Sequence, residues 1–209
     1  MRRSDPACPI MEEIDRNRPF RVEVLEFTTE SGSTVFYERY EGEFPLSFIE
    51  QDKKFKMACE VCEKYGKNLS CPPFSPTFND YLKGYRKAKV LCLRIPQEYI
   101  DHVIPEEKYR LCFEKGRQLL TEELVRFRQK GFRIAGSGPC LACKKCGAET
   151  GGRNCVKPEE RIYSLESLGV NLILLANKCF NIDLEWTGYG RPADFVCAIG
   201  AVFYRENAE

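Results

Sequence analysis

Cys140, Cys143, Cys146 and Cys155 stand in the pattern C-x2-C-x2-C-x8-C, with Pro158 shortly after. Thiols three residues apart in a tight loop can cap three corners of a cubane iron–sulfur cluster from one side. The fourth corner then needs a ligand from further along the chain. The first three positions match the C-x2-C-x2-C-x3-C-P cluster-binding run, and the last gap is longer. A single zinc ion makes a different demand, because four sulfurs must converge on one point at about 2.3 Å. Zinc sites usually meet it with two separated C-x2-C knuckles. Three evenly spaced thiols suit a cluster better, and zinc stays the alternative.

A second set is less complete. Cys59, Cys62 and Cys71 form C-x2-C-x8-C, and Pro72 and Pro73 follow. Three ligands are in place and the fourth is missing locally. Cys8, in Ala7-Cys8-Pro9, could supply it. Cys155 could cross over, as the fourth cysteine does in two-cluster ferredoxins. One iron could instead keep an open position for substrate or water, which turns a holder into a Lewis-acid catalyst. Zinc is a stronger competitor here than at the other set.

The other cysteines read as packing residues. Cys92 and Cys197 lie in apolar runs, Cys112 lies on the apolar face of a helical pattern, and Cys179 precedes Phe180. Cysteine is a common small core residue. His102 is the single histidine, so histidine-based zinc or haem sites are excluded, and a surface or capping role is expected. Lys144, Lys145, Arg153, Lys157 and Arg161 surround the C-x2-C-x2-C run, against Glu149, Glu159 and Glu160. Cations there would offset a cluster's negative charge and raise its potential, or simply be solvated. Trp186 and Tyr189-Gly190-Arg191 read as core and turn residues. No dinucleotide-binding glycine motif, phosphate loop or nucleophile elbow occurs.

The chain that must position these thiols has 209 residues, enough to bury a core without covalent staples. With 43% hydrophobic and 30% charged residues it is not a disordered chain. Its net charge is +1, which gives no electrostatic footprint for nucleic acid or a membrane surface. The first twenty residues lack an apolar core for a secretion signal, and no apolar run reaches the roughly 20 residues of a membrane span. A cytoplasmic location is expected. Thiols stay reduced there, so clustered cysteines serve metal or redox chemistry more often than disulfides.

Alternation around a Ser-Gly-Ser turn predicts a β-hairpin over residues 20–40. A short helix is expected within 45–55, and a cysteine- and proline-punctuated loop over 58–80. Residues 90–95 read as a buried strand ended by Pro96. A long helix is expected over 105–130, with Pro105 in its first turn and Gly131 at its C-cap. A short strand over 132–135 and a Gly-Ser-Gly-Pro turn lead to the second cysteine loop, within 138–160. A helix is expected after Ser164 and Ser167, interrupted at Gly169, and closing strands over 182–186 and 195–204. Strands and helices alternate without a βαβ rhythm. The expected class is therefore α+β: one domain over 1–209, a mixed sheet packed with two or more helices, and two cysteine-rich metal-binding loops.

The segment CEVCEKYGKNLSCPPFSP at 59–76 resembles the first signature of a family of uncharacterised, cysteine-rich predicted metal-binding proteins of anaerobic bacteria and archaea. The stretch at 138–172 is similar to that family's second signature, through Cys140, Cys143, Cys146, Cys155, Pro158, Glu159, Arg161, Ser164, Glu166 and Gly169. Tyr163 stands where a proline would be expected. The resemblance covers about residues 55–204 and implies metal binding, most plausibly one or two [4Fe-4S] clusters; it brings no reaction with it. The leading expectation is electron transfer to a redox partner protein, or cluster-dependent reduction of a small molecule. The alternatives are a desulfurase- or dehydratase-like enzyme with an open iron, and a zinc-stabilised interaction module. No nucleic-acid or membrane partner is expected.

Overall fold

The computed structural model describes residues 19–103, 108, 114–184 and 194–205. Expectations for Cys8, Cys112, Trp186, Tyr189–Arg191 and the start of the long helix lie outside them.

Strands β1 (Phe20–Thr28) and β2 (Thr34–Pro45) form the expected hairpin. Its turn closes where Thr29 N–H donates to the Ser33 carbonyl at 2.8 Å, and Gly32 takes a φ of 85°. Two short helices follow, α1 (Lys53–Met57) and α2 (Phe78–Tyr81), then strand β3 (Lys87–Pro96). The chain continues with α3 (Gly116–Gln129), β4 (Arg133–Ala135), α4 (Leu172–Phe180) and β5 (Phe195–Tyr204). The strands order as β1-β2-β3-β5-β4, and all four pairings are antiparallel. Among the described residues, parallel pairing, expected of a mixed sheet, is confined to one isolated bridge between Gly136 and Ser164. The class is α+β.

The unbroken apolar run in β3 has a simple cause: both faces of the sheet are covered. Val90 and Cys92 pack with Ile199, Ala201 and Phe203 of β5 beneath α4. Leu91 and Leu93 point the other way, onto Leu120 and Leu124 of α3. Each fully buried leucine contributes about 1.5–3 kcal/mol. Gly200 lies at the closest approach, where a Cβ would stand 2.8 Å from both the Ala135 carbonyl and Leu124 Cδ1. Arg39 on β2 grips Glu123 of α3, Nε donating to Oε1 and Oε2 at 3.0 and 3.1 Å.

One expected element changes form, and another is interrupted where expected, at Gly169. Residues 45–55 give a 3-10 turn, Leu46–Phe48, and then α1, because the intervening backbone pairs with a distant segment. Asn171 N–H donates to the Glu50 carbonyl, and Asp52 N–H donates to the Gly169 carbonyl. The helix expected from Ser164 is split into a 3-10 turn, Glu166–Leu168, and α4. Gly169, at φ 90°, ends the first piece, and the Asn171 side chain caps the second by accepting from Leu174 N–H. Residues 182–184 form no strand; 185–186 lie outside the description. Gly131, at φ 88°, follows α3 as expected.

Candidate metal centre

The first cysteine loop runs from α1 to α2. Cys59 lies in a 3-10 turn, Ala58–Val61, and Cys62 N–H donates back to the Cys59 carbonyl at 3.0 Å. At the far end Cys71 N–H donates to the Asn68 carbonyl, and Ser75 N–H donates to the Cys71 carbonyl. The loop is tied across its middle by Gly66 N–H donating to the Pro72 carbonyl at 2.9 Å. Buried Leu69 and Phe78 anchor it to the core. Lys56 reaches from α1 to donate to the Ser75 carbonyl at 2.6 Å.

The second loop leaves β4 through the Gly136-Ser-Gly-Pro turn. Gly136 N–H donates to the Tyr163 carbonyl, and Leu165 N–H donates to the Gly136 carbonyl, so the loop's entrance and exit are clamped together. Arg117 of α3 fixes the turn by donating to the Ser137 and Pro139 carbonyls at 3.0 and 2.7 Å. Gly138, at φ 64°, takes the left-handed conformation that residues with a Cβ rarely adopt.

The two loops meet. Cys140 N–H donates to Ser70 Oγ at 3.0 Å, and the same hydroxyl donates to Asn68 Oδ1 at 2.8 Å. Leu69 N–H points at Cys146 Sγ at 3.4 Å, and Ala142 N–H points at Cys140 Sγ at 3.5 Å. One backbone donor to sulfur, from Leu69, and a shared buried serine are what join loops some seventy residues apart in sequence. Ser70 carries this junction and Arg117 fixes the second loop's entrance to α3; neither stands out by its sequence context, since a serine beside a cysteine has no signature of a partner so far away.

Within the loops the thiols are less gathered. Among the described residues no three histidine, cysteine or acidic side chains converge closely enough to hold a metal ion. All seven proposed ligands are free thiols; Cys62 is exposed, and Cys59, Cys71, Cys140, Cys143, Cys146 and Cys155 are half-buried. Burial pushes the Cys71 thiol up to about 11, and Cys59 and Cys62 nearby add to the rise against a hydrogen bond from Ser70. Burial also raises Cys59, helped by the charges of Glu166 and Cys62 and opposed by Lys56. Glu166 is raised by burial too, against hydrogen bonds from its own backbone, Ser164 and Gly138.

These shifts set opposite pH trends for the metal-free and metal-loaded protein. At neutral pH Cys59 and Cys71 carry protons, which an entering metal must displace. Affinity at the first loop should therefore rise with pH between 6 and 8, by about tenfold per unit for each proton released. Without metal the sign reverses. A folded-state value raised from 9.0 to about 11 makes Cys71's contribution to stability full below 9 and lost as pH climbs towards 11. Zinc or iron titrations and denaturant midpoints across pH check both slopes; metal affinity independent of pH contradicts the first.

The other cysteines are where packing puts them. Cys92 is fully buried, with its thiol against that of Cys197 on the neighbouring strand, and Cys179 is 1% exposed in the same core. His102 is exposed, its Nε2 2.9 Å from the Thr34 carbonyl. Lys157 pairs with Glu160 at 3.0 Å in solvent, and Arg161 stacks over Tyr163. No helix among the described residues is long and apolar enough to cross a membrane.

A family of predicted metal-binding proteins (DUF2284) matches residues 43–202. The chain belongs to that family. The match spans β3, α3, both cysteine loops and nearly all of β5, so it covers every described residue of the junction. No curated protein and no solved structure matches the chain. The donor set fits what membership in the family implies. Two loops rich in soft thiol donors face one another, and N–H groups point at two of the sulfurs. Thiolates and thioethers select zinc, copper(I) and iron–sulfur centres over hard cations.

Proposed function

We propose that the protein is an iron–sulfur protein of a reducing, cytoplasmic compartment. Cys140, Cys143, Cys146 and Cys155 would hold one four-iron cluster, and Cys59, Cys62 and Cys71 would hold a second. The observation that carries this reading is the pair of backbone donors, Leu69 N–H and Ala142 N–H, aimed at Cys146 and Cys140 sulfurs. Such donors stabilise thiolate-ligated clusters and tune their potential, while a structural zinc asks chiefly for convergence of four ligands. Bound clusters supply one-electron redox chemistry. This chain's own residues would set their spacing: Ser70 ties the two loops together and Arg117 fixes the second to α3, an arrangement suited to electron transfer between two centres or to reduction of a small molecule.

Exposed apolar side chains on the same loops support a docking partner for that transfer. Val61 is 93% exposed and Val156 79%, and Leu141 and Phe74 are also exposed. Solvated loops seldom carry large apolar side chains in such number without a partner to cover them. Anaerobic purification with iron and acid-labile sulfide analysis tests the reading. A brown protein with stoichiometric iron and sulfide is expected. A colourless protein holding stoichiometric zinc overturns it.

A further inference from the structure

We infer that an arginine–tyrosine face beside the second cysteine loop docks an acidic protein. This deepens the electron-transfer reading by naming the partner's chemistry, and it rests on that reading only for the partner's being an electron carrier.

Six side chains from four parts of the chain stack into one ladder. The Arg161 guanidinium lies 4.9 Å from the Tyr163 ring centre, and Tyr163 meets Tyr81 edge-to-face at 5.2 Å. Arg133 stands over both Tyr81 and Tyr85, at 4.9 and 5.4 Å, and Arg205 closes the row 5.2 Å from Tyr85. Hydrogen bonds fix the middle of the row. Tyr81 Oη donates to the Ile134 carbonyl at 2.8 Å, and Arg133 Nη1 donates to the Tyr81 carbonyl. Arg133 belongs to β4, the strand at the edge of the sheet. At the other end Tyr163 sits at the exit of the second cysteine loop, its carbonyl held by Gly136 N–H. A partner seated on the ladder would therefore lie beside the loop that carries Cys140, Cys143, Cys146 and Cys155.

The charge on this face is unspent. Arg21, Arg39 and Arg94, on β1, β2 and β3, each pair with a glutamate. Arg133, Arg161 and Arg205 form no ion pair among the described residues. The stretches 81–87 and 128–133, which supply Tyr81, Tyr85 and Arg133, also bring Lys83, Arg86, Lys87, Arg128 and Lys130 and no acidic residue. Asp80, next to Tyr81, accepts from the Thr77 hydroxyl at 2.6 Å. In a chain of net charge +1, positive charge is thus gathered around the ladder.

The residue types fit a protein partner. Arginine and tyrosine dominate the energetic centres of protein interfaces. A guanidinium stacked on a ring keeps its N–H edge for a carboxylate, which it can grip with two parallel bonds. Nucleic acid is the other polyanion, and its single strands bind by stacking bases on open aromatic faces. Here the tyrosine rings already carry Arg161, Arg133 and Arg205, so the face offers carboxylates more than it offers bases.

The test measures binding of the full chain, purified anaerobically, to flavodoxin, an acidic one-electron carrier. Basic cytochrome c and a single-stranded thymidine oligonucleotide serve as controls. Flavodoxin should bind with an affinity that falls steeply as salt is raised. The double variant Arg133→Gln, Arg205→Gln should weaken it by about tenfold or more. Arg21→Gln, on the opposite edge strand, should leave it unchanged. Because Arg133 also holds Tyr81, the exposed Arg205 is tested alone: Arg205→Glu should weaken binding with the thermal midpoint unchanged. Wild-type affinity in both variants overturns the inference, and so does cytochrome c binding as tightly as flavodoxin. Tighter binding of the oligonucleotide, lost in the same variants, overturns it in favour of nucleic acid. Iron and sulfide assays on the same samples separate the two readings. Stoichiometric iron without flavodoxin binding sinks the docking face and leaves the clusters standing. A colourless zinc protein that still binds flavodoxin through these arginines sinks the clusters and leaves the docking face standing.

Discussion

Protein in which Cys140, Cys143 and Cys146 are all replaced by serine is expected to lose at least half of its iron and sulfide. Serine keeps nearly the shape of cysteine and removes the soft donor, so the loss reports ligation and not packing. Metal binding at thiolate sites is worth on the order of 10 kcal/mol, and much of it is coupled to ordering the ligand loops. The damage should therefore reach beyond chemistry. Residues 138–160 should become the first site of proteolytic cleavage, and residues 58–80 should follow, because Cys140 N–H and Cys146 Sγ are the second loop's handholds on Ser70 and Leu69. Limited proteolysis with and without metal, alongside iron and sulfide assays, checks this. Equal cleavage of loaded and metal-free wild type would count against the coupling.

Gly169→Ala is expected to destabilise the protein by about 2–5 kcal/mol. Two costs add. The residue sits at φ 90°, outside the basins that side-chain-bearing residues favour, which costs about 1–2 kcal/mol. A Cβ would also stand 2.9 Å from the Asp52 carbonyl oxygen, and overpacking against backbone typically costs about 1–3 kcal/mol. The strained contact is the one that fixes the Glu166 turn to the helix preceding Cys59. Relief by separation of these segments should lower metal affinity at the first loop more than at the second. Denaturant unfolding and metal titration of the variant measure the two effects. A variant as stable as wild type would show that the Asp52–Gly169 junction is slack.

Much of the fold was legible because its signals are local. The alternation and Ser-Gly-Ser turn of residues 20–40 need no partner to be recognised, and neither does the run 90–95, whose period is hidden by burial on both faces. The interruption at Gly169 was legible too, since glycine readily takes a positive φ; the form of residues 45–55 was not, because residues 50–52 pair with 169–171 far along the chain. The cysteine spacings were equally legible, while Ser70 and Arg117 were not. Each of those matters through a partner in another element.

The sequence by itself determined the inventory: twelve cysteines with one histidine, two spaced thiol sets, an α+β alternation of elements, and a chain that reads as neither disordered nor basic. Side-chain chemistry and residue spacing are properties of short segments and survive without a fold. The tertiary structure decided that the two thiol sets meet at one junction and that an antiparallel sheet with helices on both faces holds it. Those facts depend on hydrogen bonds and burial between residues tens of positions apart, and only chain closure creates them.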